Sequence, residues 1–169
     1  MPKRNTILLI VLLGLLVSAG CEQERRPSST PSGRKLDILS AYTASSVSIM
    51  GLTGIVPDED NANRATLRVY VDVLDSEGVR IKAPGVFRFE LYQFVPRSSN
   101  PMGKRLKLWE DIKLLDPVEN NASWRDFLRA YQFDLDFEFG PVRPAGYVVQ
   151  VMFTTTSGKR LYNNYHLKY

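Results

Sequence analysis

From Leu36 onward the strongest pattern in the chain is alternation. Apolar side chains recur at every second position, the period of strands that bury one face. Over residues 66–74, Leu67, Val69, Val71 and Val73 fall on one side and Arg68, Tyr70 and Asp72 on the other. Residues 86–94 set Phe87, Phe89 and Leu91 against Arg88, Glu90 and Tyr92. Residues 130–139 align Tyr131, Phe133, Leu135, Phe137 and Phe139, and residues 146–154 align Tyr147, Val149, Val151 and Phe153. Segment 159–168 alternates less cleanly through Leu161, Tyr165 and Leu167. With Ser157-Gly158 as a turn before it, the last two runs read as a terminal hairpin.

Weaker strands are expected at 36–42, 47–52 and 106–109. One short helix is expected at 124–129, with Ser123 as its cap and Asp126 three residues on. Six to eight half-buried strands separated by Pro, Gly and Asn turns predict an all-β fold over residues 36–169. The expected form is an antiparallel β-sandwich, Ig-like or transthyretin-like, with one short helix; a small barrel is the alternative. No cysteine pair exists to tie two sheets, which excludes a disulfide-pinned immunoglobulin domain. With 44% hydrophobic and 24% charged residues, the chain is too apolar to be wholly disordered.

The first residues follow a different rule. Lys3 and Arg4 precede an apolar run from Ile7 to Val17, interrupted by Gly14, and Ser18-Ala19-Gly20 leads to Cys21. A bilayer-spanning helix needs about 20 apolar residues, and this run is about half that, the length of a signal-peptide core. Val17-Ser18-Ala19-Gly20-Cys21 resembles the lipobox of bacterial lipoproteins, departing from it in having Ser18 where Leu is commonest. The resemblance implies a signal peptide over residues 1–20, cleavage before Cys21, a diacylglyceryl thioether on Cys21 and often a further acyl chain such as palmitate on the new amino terminus. It extends no further than Cys21. Cys21 is the single cysteine, and lipidation would consume a thiol that is otherwise a liability in an oxidising compartment. Among lipoproteins of two-membrane bacteria, Asp after the cysteine retains the protein in the inner membrane. Here Glu22 follows, which favours the outer membrane, on its periplasmic or surface side. Asn121-Ala122-Ser123 matches an N-glycosylation acceptor, which the bacterial resemblance discounts.

Residues 21–35 are polar, with two prolines and a Ser/Thr/Gly cluster, and read as a flexible lipidated tether. The net charge of +4 also resides here and upstream. Lys3 and Arg4 carry two of the positive charges, and the tether sets four basic residues against Glu22 and Glu24. Residues 36–169 are therefore neutral overall and have no net field to attract a nucleic acid.

Few of the polar residues converge on a recognisable chemistry. His166, the single histidine, sits on the polar phase of the last strand, without the partners that a triad or a histidine metal site requires. Asp134, Asp136 and Glu138 share one strand face at alternate positions, suggesting a hard cation such as calcium or a basic partner. A single flat strand, however, offers a row of carboxylates rather than a cage, so a solvated face is the competing expectation. The loop from Asp58 through Asp60 to Asn63 is oxygen-rich but departs from the calcium-loop template, with Ala62 and Asn63 where a ligand and a glycine belong. Trp109, Trp124 and Tyr162 lie outside the cleanest apolar phases. They are candidates to stack on sugars, unless the tryptophans close the ends of the core.

The expectation is a non-enzymatic, membrane-anchored envelope lipoprotein without a cofactor, whose sandwich acts as an interaction or assembly domain for an envelope protein. A carbohydrate or cell-wall binding module is the alternative.

Overall fold

The computed structural model describes residues 42–141 and 144–168. The expected signal peptide, Cys21, the tether and the first six residues of the expected strand at 36–42 lie outside the described residues. Within them, two five-stranded sheets enclose one hydrophobic core, the expected antiparallel sandwich.

The first sheet contains β1 (Ser46–Ile49), β2 (Gly54–Pro57), β3 (Arg64–Leu74), β7 (Trp124–Arg125) and β8 (Ala130–Glu138), in the order β1-β3-β8-β7. The second contains β4 (Gly85–Phe94), β5 (Met102–Leu108), β6 (Ile112–Leu114), β9 (Gly146–Thr155) and β10 (Arg160–Lys168), in the order β10-β9-β4-β5. β2 continues the β1 edge along β3, and β6 continues the β5 edge along β4, so each of these edges is one strand broken in two.

The first break is repaired by side-chain chemistry. Between β1 and β2 the chain leaves the ladder, and Thr53 Oγ1 accepts the Tyr70 N–H at 3.1 Å in place of a backbone carbonyl. At the second break, the Trp109 N–H still reaches the Phe89 carbonyl at 3.2 Å.

The alternation read from the sequence decides what is buried. Leu67, Val69, Val71 and Val73 of β3 and Phe87, Phe89 and Leu91 of β4 are wholly inside, as are Tyr131 of β8 and Val149, Val151 and Phe153 of β9. Burying each large side chain contributes about 1.5–3 kcal/mol. Phe87 is the hub: its ring lies 4.5 Å from Phe153 in its own sheet and 4.9 Å from Phe133 in the other. These tilted contacts are the geometry that aromatic quadrupoles favour. Gly85 opens β4 because a Cβ there would run into the Phe153 ring and, at 2.6 Å, the Thr154 carbonyl oxygen.

The helix falls elsewhere than expected. α1 spans Pro117–Ser123, ahead of the expected 124–129. Asp116 caps it, accepting the N–H groups of Val118 at 2.8 Å and Glu119 at 3.2 Å, and Pro117 fits the first turn, where no N–H is needed. Residues 124 and 125 are strand because the core claims Trp124: its ring meets Tyr131, its partner across the ladder, edge-on at 5.0 Å. The chain then turns through 126–129, where Arg129 takes a φ of 52°, incompatible with a right-handed helix.

One buried polar cluster docks α1 onto the sandwich. The Tyr131 hydroxyl accepts the Ala83 N–H at 2.9 Å and lies 2.9 Å from Asn120 Oδ1, to which it donates. Asn120 Nδ2 in turn donates to the carbonyls of Ala83 and Leu114, each at 3.1 Å. Burial pushes the Tyr131 phenol above its ordinary pKa despite these partners.

Candidate functional site

The outer face of the first sheet carries the acidic row, and the ladder register answers it residue by residue. Asp134 stands opposite Arg68, Asp136 opposite Thr66 and Glu138 opposite Arg64. Arg68 grips Asp134 through Nε at 2.7 Å and Nη2 at 3.3 Å, which holds that carboxyl below the usual carboxylate range. The Thr66 hydroxyl donates to Asp136 at 2.7 Å, and Arg64 lies 4.0 Å from Glu138. The row is one half of a cross-strand zipper.

Two side chains of the exposed 58–63 loop are spent within it. Asp58 Oδ1 accepts the N–H groups of Asp60 and Asn61, and Asn61 Oδ1 accepts that of Asn63, so these side chains brace the turn. Among the described residues, no group of three or more His, Cys, Asp or Glu is placed to hold a metal ion.

The three aromatic candidates are not brought together. Trp124 is 8% exposed and lies in the core under the ammonium of Lys82, which sits 5.2 Å from the ring centroid. Trp109 is half-buried. Its indole N–H donates to the Asp136 carbonyl at 2.7 Å and its ring meets Phe137 edge-on, bridging the gap between β5 and the first sheet. Of the two expectations for the tryptophans, stacking on sugars or closing the ends of the core, their placement follows the second. Tyr162 differs, standing 56% exposed on the outer face of the second sheet. His166 shares that face, exposed and stacked on Phe94 at 3.7 Å.

Around Tyr162 the second sheet forms an open depression of about 440 Å³. Its plan follows from the register of β4, β9 and β10. Val86, Thr154 and Arg160 form one row across the three strands; Arg88, Met152 and Tyr162 form the next, and Glu90, Gln150 and Asn164 the third. Thr154, Met152 and Gln150 of the middle strand form the floor, and Arg88 on one side and Arg160 and Tyr162 on the other are the long side chains that flank it.

Arg88 is locked by Asp111, from the break between β5 and β6, through Nε at 2.7 Å and Nη2 at 2.8 Å. That pairing holds the Asp111 carboxyl below its ordinary range. Partial burial alone would push the Glu90 carboxyl up. Hydrogen bonds from the Tyr92 hydroxyl at 2.6 Å and Arg105 at 2.9 Å outweigh it and hold Glu90 down. Gln150 Nε2 donates to Asn164 at 2.9 Å. The Arg160 guanidinium has no partner among the described residues.

Of this constellation, sequence reasoning singled out Tyr162 alone. Arg88, Asp111, Met152 and Arg160 were visible as outward-facing or loop residues, but the strand order that gathers them was not. No protein-family model, no curated protein and no solved structure matches the chain.

Proposed function

We propose that the chain is an exported bacterial lipoprotein, held at the envelope by a lipid on Cys21, whose sandwich serves as a non-catalytic interaction module. The observation that carries this reading is the segment Val17–Cys21, with its small residues before a lone cysteine and its short apolar core upstream. Two or more acyl chains would anchor the protein stably, since each buried CH₂ contributes about 0.8 kcal/mol. Metabolic labelling with radioactive palmitate tests the anchor. Label on the wild type that disappears in Cys21→Ala is the expected result; an unlabelled wild type, or label that survives the substitution, overturns it. In-cell crosslinking and purification from the membrane fraction tests the partner, and recovery of the protein alone counts against an interaction role.

A second reading, a glycan-binding module, is favoured by one observation. Tyr162 projects from a sheet face beside a depression whose size, about 440 Å³, lies within the range of small-ligand sites.

A further inference from the structure

The depression on the second sheet is lined by two arginines and two carboxylates, and the way they pair narrows what it would bind. Its two carboxylates are both engaged: Asp111 uses both oxygens on Arg88, and Glu90 Oε2 takes both Tyr92 and Arg105. Arg160 remains as the surplus cation, on the same strand as Tyr162 and two residues from it, so both side chains rise from one side of the groove. We propose that this depression binds a carboxylate-bearing saccharide, its ring against Tyr162 and its carboxylate on Arg160. The inference rests on the glycan-binding reading and is independent of the lipid anchor.

Three features favour a sugar over a protein segment. The floor is polar as well as soft: Thr154 and Gln150 offer hydroxyl and amide groups on either side of the Met152 thioether. Protein interfaces instead concentrate their affinity in well-packed, fully desolvated pockets, whereas this depression is open. The groove spans two strand spacings from β4 to β10, about 9.6 Å, a width that admits one ring. The far wall is rigid, because Arg88 is fixed by two hydrogen bonds to Asp111 and leaves its Nη1 free to donate to a ligand hydroxyl. A planar guanidinium matches a carboxylate through two parallel hydrogen bonds, which a neutral sugar cannot supply.

The test uses the purified full chain in detergent micelles, titrated with trigalacturonic acid and with its neutral counterpart, galactotriose, by isothermal calorimetry. The acidic trisaccharide is expected to bind at least about tenfold more tightly than the neutral one, with a preference that shrinks as salt is added. Arg160→Gln should bring the two affinities together, and Tyr162→Ala should weaken both by about tenfold or more. Both positions are exposed, so neither variant should move the melting temperature; Arg68→Gln, on the opposite sheet, should leave binding unchanged. Equal affinity for the two sugars, or a preference that survives Arg160→Gln, overturns the inference while leaving glycan binding standing. No heat with either sugar overturns both.

Discussion

Tyr131→Phe removes one oxygen from the best-connected buried polar group in the described sandwich. The hydroxyl accepts the Ala83 N–H and donates to Asn120 Oδ1, so its loss orphans a backbone donor and a side-chain acceptor at once. Asn120 keeps its own bonds to Ala83 and Leu114, and the ring keeps its contacts with Trp124 and Phe87. The loss is therefore purely polar. Two buried groups left unpaired cost about 2–4 kcal/mol together. For a domain of this size that lowers the melting temperature by about 6–15 °C. Urea unfolding followed by tryptophan fluorescence measures it directly, with the midpoint falling and the slope unchanged. Combined with Asn120→Ala, the double variant should lose less than the sum of the singles by at least about 0.5 kcal/mol, because both act on one network. A cost for Tyr131→Phe below about 0.5 kcal/mol would refute the argument, since exposed substitutions do as much.

Gly85→Ala forces a methyl group into the Phe153 ring and the Thr154 carbonyl, and should cost about 1–3 kcal/mol by denaturant titration. Asp72 lies almost wholly inside the first sheet, where burial pushes its carboxyl up against the opposing pull of Arg80 at 3.1 Å. The folded state thus holds that proton more tightly than the unfolded chain, and ionising it at neutral pH subtracts stability. Asp72→Asn should accordingly raise the melting temperature at pH 7, with a gain that vanishes as the pH falls below the carboxyl's unfolded value. For Asp134, Asp111 and Glu90 the sign reverses. Their lowered pKa values contribute stability that is complete above the unfolded carboxylate value and lost as the pH falls through the folded ones. Arg68→Gln should therefore lower the melting temperature slightly at pH 7 and not at all once Asp134 is protonated.

The five long strands were legible because each buries one face against the opposite sheet, and a buried face leaves a period of two in the sequence. β3, β4, β8, β9 and β10 all begin and end within two residues of the runs read from alternation. The short strands were legible only in part: the expected runs at 47–52 and 106–109 overlap β1 and the end of β5, while β2, β6 and β7 left no signal. β2 has no buried residue and β7 has two residues in all, so neither can display a period. β5 carries five exposed residues in succession because it lies on an edge where packing constrains little.

The helix was misplaced for a different reason. Asp116-Pro117 with Glu119 three residues after the cap is itself a start signal, but Ser123 offered a competing one, and the core's claim on Trp124 decided between them. For the site, the outward phase of Tyr162 could be read, whereas its neighbours Arg88 and Met152 depend on strand pairing across long stretches of chain. The pairing of the acidic row was hidden on the same ground: the register that sets Arg68 against Asp134 links residues 66 apart.

The two interrupted edges have a consequence for how copies of this molecule meet. An intact rim of unpaired N–H and C=O groups invites a neighbour to add a strand, and sheets that accept one can go on growing. Here β1 and β2 are four residues each, and β6 is three. β5 shifts register twice along its partner, while Asn163 of β10 reaches over to take the Ile49 N–H at 3.0 Å. The rims built from β1 and β2 and from β5 and β6 are chopped or kinked. Along those two rims, molecules packed shoulder to shoulder would find no continuous seam on which to fuse.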